Sequence, residues 1–160
     1  MSKEMAKTTV QQQQILKQIQ TIFTEQLPFH QLLQLQIRRF DINAVEVVVE
    51  MRPELIGNPM HQILHGGVTA TLLDIAGGMV AFAGVIERHP EADWPTIQKR
   101  LANLGTIDMR VDYLRPGRGN QFIASGQVLR TGNKVAVVRT ELHNEDGQQI
   151  ASGTGTYLVG

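Results

Sequence analysis

The hydrophobic positions form one long block and a set of short alternating ones. Residues 63–85 read ILHGGVTATLLDIAGGMVAFAGV, apolar almost all round past Gly67, with Asp74 as the one ionisable group beyond that point. A helix apolar on every face is either a membrane span or the buried axis of a soluble domain. Five glycines (Gly66, Gly67, Gly77, Gly78, Gly84) and the central aspartate favour the axis. An aspartate at mid-span would cost about 2.5 to 3.5 kcal/mol on an insertion scale.

The rest of the chain supplies elements to surround it. Ile15, Leu16, Ile19, Ile22, Phe23 and Leu27 recur at helical spacing, which predicts an amphipathic helix ending near Pro28. Residues 1–14, with glutamine at every position from 11 to 14, have no apolar periodicity and are expected to be a flexible N-terminus. Residues 29–33 suggest a helical turn and 35–40 a first strand. In residues 44–51, Val45, Val47, Val49 and Met51 alternate with Ala44, Glu46, Val48 and Glu50, as on a strand with one face buried. Asp93 can cap a short helix through residue 104, with Pro95 tolerated in its first turn.

Four more strands follow, at residues 106–114, 121–130, 134–143 and 149–159, and the short turns between them imply antiparallel pairing. The predicted class is α+β: a long central helix wrapped by a curled antiparallel sheet, with an extra N-terminal helix. Residues 15–160 read as a single domain.

Composition narrows the chemistry. Fifteen Lys and Arg balance fifteen Asp and Glu, so no global field draws the chain to nucleic acid or an anionic membrane, and an anionic ligand must be held by a local cluster. Without cysteine there is no disulfide, thiolate nucleophile or zinc-thiolate site. The first residues lack the apolar stretch of a secretory signal, and no second candidate span occurs. A cytoplasmic protein without membrane insertion is expected.

A ligand is best placed at His65-Gly66-Gly67, where the helix begins. First-turn amides have no intrahelical partner, glycine lets a ligand approach them, and the helix dipole adds positive potential. A developing oxyanion would be stabilised there, one such donor being worth about 3 to 4 kcal/mol of barrier. The plain alternative is that the glycines only relieve packing against the sheet. Asp74 must likewise neutralise, pair or serve a site; Thr71 and a strand hydroxyl such as Thr106 are its nearest candidate partners, and a purely structural aspartate is the alternative. Eight residues of helix put Asp74 about 12 Å from Gly66, whereas attack on a carbonyl held at Gly66 needs about 3 Å. Two copies packed antiparallel about a two-fold axis would join Asp74 of one to His65-Gly66 of the other, so this chemistry requires a homodimer.

The wording LHGGVTATLLD, with GTIDMRVDYLRPGRG and GNKVAV downstream, resembles hot-dog fold acyl-CoA thioesterases of the PaaI-like, phenylacetyl-CoA thioesterase type, and within them the YigI-like branch. The resemblance covers roughly residues 27–160. It implies the hot-dog fold and hydrolysis of an acyl-CoA thioester with no cofactor and no metal, coenzyme A being part of the substrate. By position it makes Asp74 the nucleophile or general base and the Gly66 amide the oxyanion donor. It has His65 help position the thioester, with Gly67 beside it, and Thr106 orient the water. Family members often carry Asn six residues before the His; Pro59 stands there in this chain, with Asn58 next to it.

Coenzyme A needs positive charge at its phosphates. Arg115 and Arg118 in one turn, and Arg130 and Lys134 at the next, are the candidates; each alone reads more readily as an ordinary solvated turn residue, and their recurrence at two loops is what singles them out. His61 and His65 lack a third metal ligand at useful spacing. Ser125 and Ser152 lack a nucleophile elbow. The apolar helix wall favours a medium or longer fatty acyl group. A hot-dog dehydratase or hydratase, and an acyl-CoA binder without hydrolysis, are the rival readings, and dimers pairing into a homotetramer stay open.

Overall fold

The computed structural model describes residues 8–160. Helices α1 (Val10–Thr21), α2 (Pro28–Leu32), α3 (Gly66–Arg88) and α4 (Trp94–Ala102) accompany eight strands. These are β1 (Gln36–Phe40), β2 (Val45–Glu50), β3 (Ile56–Asn58), β4 (Ile63–Leu64), β5 (Gly105–Tyr113), β6 (Gln121–Thr131), β7 (Val135–Asn144) and β8 (Gln149–Leu158). Six form one sheet in the order β1-β2-β6-β7-β8-β5, antiparallel throughout, while β3 and β4 make a small separate pair. The expected α+β class and long central helix are both present.

Helix α3 lies on one face of the six-stranded sheet and touches β2, β5, β6, β7 and β8. Its buried side chains, among them Leu72, Leu73, Met79, Phe82 and Ile86, meet Val45, Val47, Phe122, Val138 and Leu142 from the strands. Alternation on β2 sends Val45, Val47 and Val49 into this core. α3 has the length and hydropathy of a membrane span, but 83% of that apolar window is buried inside the domain.

Two local predictions need correction. Residues 10–14 are not outside the fold: α1 begins at Val10 with a capping box in which Thr9 Oγ1 accepts from the Gln12 amide and the Gln12 side chain accepts from the Thr9 amide. Gln12 is buried and donates to the Ile86 carbonyl at 2.9 Å, so glutamine fastens α1 to the far end of α3 where apolar periodicity gave no hint. The expected flexibility of residues 1–7 lies outside the described residues. The second correction concerns β5, which pairs with β8 rather than with β6 and so lies at the sheet edge. Residues 115–120 are therefore no hairpin turn. They fold back on β4, where the Gly117 carbonyl accepts from the Leu64 amide at 2.9 Å.

Candidate active site

The start of α3 is held from two sides. The His65 amide donates to the Leu55 carbonyl at 2.8 Å, and Gly57 packs so closely that a Cβ there would lie 2.5 Å from the His65 Cα. His65 is extended (φ −64°, ψ 135°) and caps the helix, its Nδ1 accepting from the Gly67 amide at 2.8 Å. With Nδ1 an acceptor, the ring N–H is on Nε2, which is left to donate outward. The Gly67 amide is thus occupied by the cap. The Gly66 amide makes no hydrogen bond among the described residues, and Tyr113 Oη donates to the Gly66 carbonyl at 2.9 Å.

Asp74, half-buried, sits two turns on. Its Oδ1 accepts from Thr106 Oγ1 at 2.8 Å and from Tyr157 Oη at 3.1 Å; Tyr157 Oη is also 3.2 Å from the Asp74 carbonyl. Both side-chain donors reach the same carboxylate oxygen, and Oδ2 makes no hydrogen bond among the described residues. Tyr157 is 2% exposed. Burial first, then the charge of Asp74, pushes its phenol far above the usual tyrosine range, so it remains a protonated donor. Its ring fits only because two neighbours are glycine: a Cβ at Gly77 would lie 2.1 Å from Tyr157 Oη, and one at Gly155 2.7 Å from the ring.

Thr106 therefore meets Asp74 as expected, while Thr71 faces elsewhere. Tyr157 escaped the sequence reading. Its signal was the pattern Gly153-Thr154-Gly155-Thr156-Tyr157, in which glycines at alternate positions leave room for a large inward neighbour. Asn58 Oδ1 accepts from the Met60 amide at 3.0 Å and so braces its own loop. Arg115 donates to the Gln149 carbonyl at 2.9 Å and Arg118 to the His61 carbonyl at 3.3 Å, both near the start of α3. Arg130 and Lys134 flank a turn whose Thr131 carbonyl bonds Arg88, at the other end of α3. The helix rise puts that end about 33 Å from Gly66. The two basic loops expected to serve one ligand are thus far apart within one chain.

Two grooves flank the α3 start. One, about 610 Å³, is lined by Phe29, Leu32, Leu33, Leu55 and Val68 and opens on His65 and Gly67. The other, about 390 Å³, lies toward Gly66, Tyr113 and Arg115. Among the described residues the arrangement offers a free helix-start amide, an imidazole whose Nε2 is unbonded and, on the same helix, a carboxylate with one unbonded oxygen.

The thioesterase superfamily model matches residues 61–151. Over 92% of its length the chain is 46% identical to the medium/long-chain acyl-CoA thioesterase YigI of Salmonella typhimurium, covering 96% of that protein. A crystal structure of a Shewanella oneidensis protein related to the thioesterase superfamily is 55% identical, with a TM-score of 0.92 over 96% of this chain and 100% of that one. The Escherichia coli PaaI protein of the phenylacetic acid degradation operon is 20% identical, with a TM-score of 0.72 over 91% of this chain and 94% of its own, and shares the fold.

Proposed function

The chain belongs to the thioesterase superfamily, and from that premise we propose that it hydrolyses medium- and long-chain acyl-CoA to the free acid and coenzyme A, at sites built by two copies of the chain. The observation that carries the reading is the pairing of a free Gly66 amide with an Asp74 carboxylate anchored through one oxygen alone.

The thioester carbonyl lies at the start of α3, its oxygen facing the Gly66 amide, with His65 Nε2–H donating beside it. Asp74 Oδ2 takes a proton from water as the water oxygen attacks the carbonyl carbon; the C=O pair moves onto oxygen, where the amide stabilises it. Collapse restores the carbonyl and breaks the C–S bond, and the departing thiolate takes the proton that Asp74 Oδ2 accepted from water, which regenerates the carboxylate. Direct attack by Oδ2, giving an anhydride that water then opens, uses the same oxygen and the same geometry. Thr106 and Tyr157 fix the carboxylate for either route. The scheme draws on water and this chain's own groups, with no resident metal or cofactor.

The topology supports the two-chain site. β5 is an edge strand, with Thr106 at Asp74 and Tyr113 at Gly66, so it runs antiparallel to α3. If the free edges of two β5 strands pair antiparallel about a two-fold axis, the Thr106 end of one meets the Tyr113 end of the other. Asp74 of one copy then comes beside Gly66 of the other, crossing the 12 Å or so that separates them within a chain. Arg115 and Arg118, flanking the helix start, are the basic residues we assign to the coenzyme A phosphates. Arg130 and Lys134, at the remote end, could reach a site only from the second copy. The setting we propose is the cytoplasm, in keeping with a chain that carries no cysteine.

Purified protein given an acyl-CoA series and a thiol reagent tests the reading. Release of free coenzyme A is expected, falling by orders of magnitude in Asp74→Asn with the fold retained. Binding without release would identify an acyl-CoA binder, and unimpaired release by Asp74→Asn would remove the assigned mechanism.

A further inference from the structure

Helix α2 leaves large apolar side chains in water although it is firmly held. Phe29 is 54% exposed and Leu32 71%. His30 between them is buried, its Nδ1 2.8 Å from the Phe23 carbonyl and its ring against the Phe23 ring. From the other side the Arg52 guanidinium donates to the Leu32 and Leu33 carbonyls at 2.7 and 2.8 Å. A helix pinned on both sides presents Phe29 and Leu32 in a fixed position, and with Leu55 and Val68 they form the apolar side of the 610 Å³ groove. Its size is that of a small-molecule site.

What the groove adjoins identifies its occupant. His65 and Gly67 belong to its lining, and Thr71 lies one turn further along α3 in the same lining. Its charged groups, Arg52 and Glu54, are 3.6 Å apart and face each other as an ion pair. A ligand segment lying here finds apolar surface and is joined to something held at the helix start. Arg115 belongs to the groove on the other side of Gly66. A thioester fixed at the Gly66 amide has one apolar arm and one anionic arm; the groove toward Gly66 and Tyr113 holds Arg115, which has no ion-pair partner among the described residues, whereas the cation of the α2 groove is already paired with Glu54.

We propose that the groove between α2 and α3 holds the substrate's acyl chain, and that Leu32 and Phe29 make α2 the element that sets chain-length preference. The inference rests on the thioesterase reading. A long chain extends past His65 to cover Leu32 and Phe29, whereas a short one ends before them.

The test is kcat/KM across a series from butanoyl- to hexadecanoyl-CoA, for the unmodified protein, Leu32→Ser and Phe29→Ala/Leu32→Ser. Val10→Ser serves as a control, Val10 being equally exposed on α1. Leu32 is exposed enough that its replacement leaves the core untouched. The expected result is that the hexadecanoyl-to-butanoyl ratio falls roughly tenfold in Leu32→Ser, the loss of about two methylenes' burial, and further in the double variant. Val10→Ser should keep the ratio. A ratio within about twofold of the unmodified protein in both α2 variants, whether both substrates hold or both fall together, overturns this inference alone. No coenzyme A release from any substrate by the unmodified protein overturns the thioesterase reading and this inference with it.

Discussion

Replacing Tyr157 by phenylalanine removes one oxygen and leaves the ring seated between Gly77 and Gly155. The lost hydroxyl is one of two side-chain donors to Asp74 Oδ1, at 3.1 Å, the other being Thr106 at 2.8 Å. A hydrogen bond to a charged group contributes about 1.5 to 3 kcal/mol. If that whole amount serves to hold the carboxylate in its reactive orientation, kcat falls about 10- to 150-fold. Thr106 still bonds the carboxylate, so the lower half of that range is expected. Because the phenol touches Asp74 and not the ligand grooves, KM should change far less than kcat. Stability should fall too, by about 2 to 4 °C of melting temperature per kcal/mol in a chain of this size. Steady-state kinetics with decanoyl-CoA, read beside a thermal melt, separate the two effects. A kcat within about twofold of the unmodified protein would refute the claim that Tyr157 positions Asp74.

Further outcomes follow from the same contacts. Gly66→Pro deletes the free amide at a position where helices tolerate proline, and His65 already has the extended backbone that a following proline requires, so turnover should fall with little change in melting temperature. Refolding Gly66→Pro together with Asp74→Asn should restore about a quarter of full activity, since mixed dimers hold one intact site each; a mixture no better than its components would rule out the shared site. Burial lowers the pKa of His30 below its ordinary 6.5, outweighing the Phe23 carbonyl bond. The unfolded chain therefore takes up that proton first, so stability is complete above about pH 6.5 and declines as pH drops below it. His30→Gln should flatten that decline in melting temperature, and an unchanged slope would show that another group is responsible.

The central helix and the glycine pair at its start were legible because glycine, an apolar block and a lone carboxylate are unusual together in sequence, whereas the cap that His65 makes was not read. Thr106 was nameable as a partner for Asp74 because the strand after the helix must pass close by. β5 was misplaced for a topological reason: short turns suggest neighbouring strands, and nothing local in residues 115–120 shows that Gly117 anchors them to Leu64 instead. Gln12 was missed because its role is one buried hydrogen bond to Ile86, to which periodicity is blind. Tyr157 was readable only through the glycines around it, since it is 83 positions from Asp74 and no spacing rule links the two. The apolar groove was foreseen only as a helix wall, because the Arg52 bonds that fix α2 opposite it connect segments about twenty residues apart.

The position of β5 bears on how the molecule is made. During synthesis β6 and β7 emerge next and can zip together at once, while β5 has no strand neighbour until β8 arrives. For that interval both its edges are open, on a segment carrying Ile107 and Tyr113, and an open edge invites the wrong partner. A ribosome-bound or truncated chain lacking Gln149–Leu158 should accordingly clump, and the hazard should vanish once the last strand is in place. The edge that then remains is the one through which two finished copies would recognise each other.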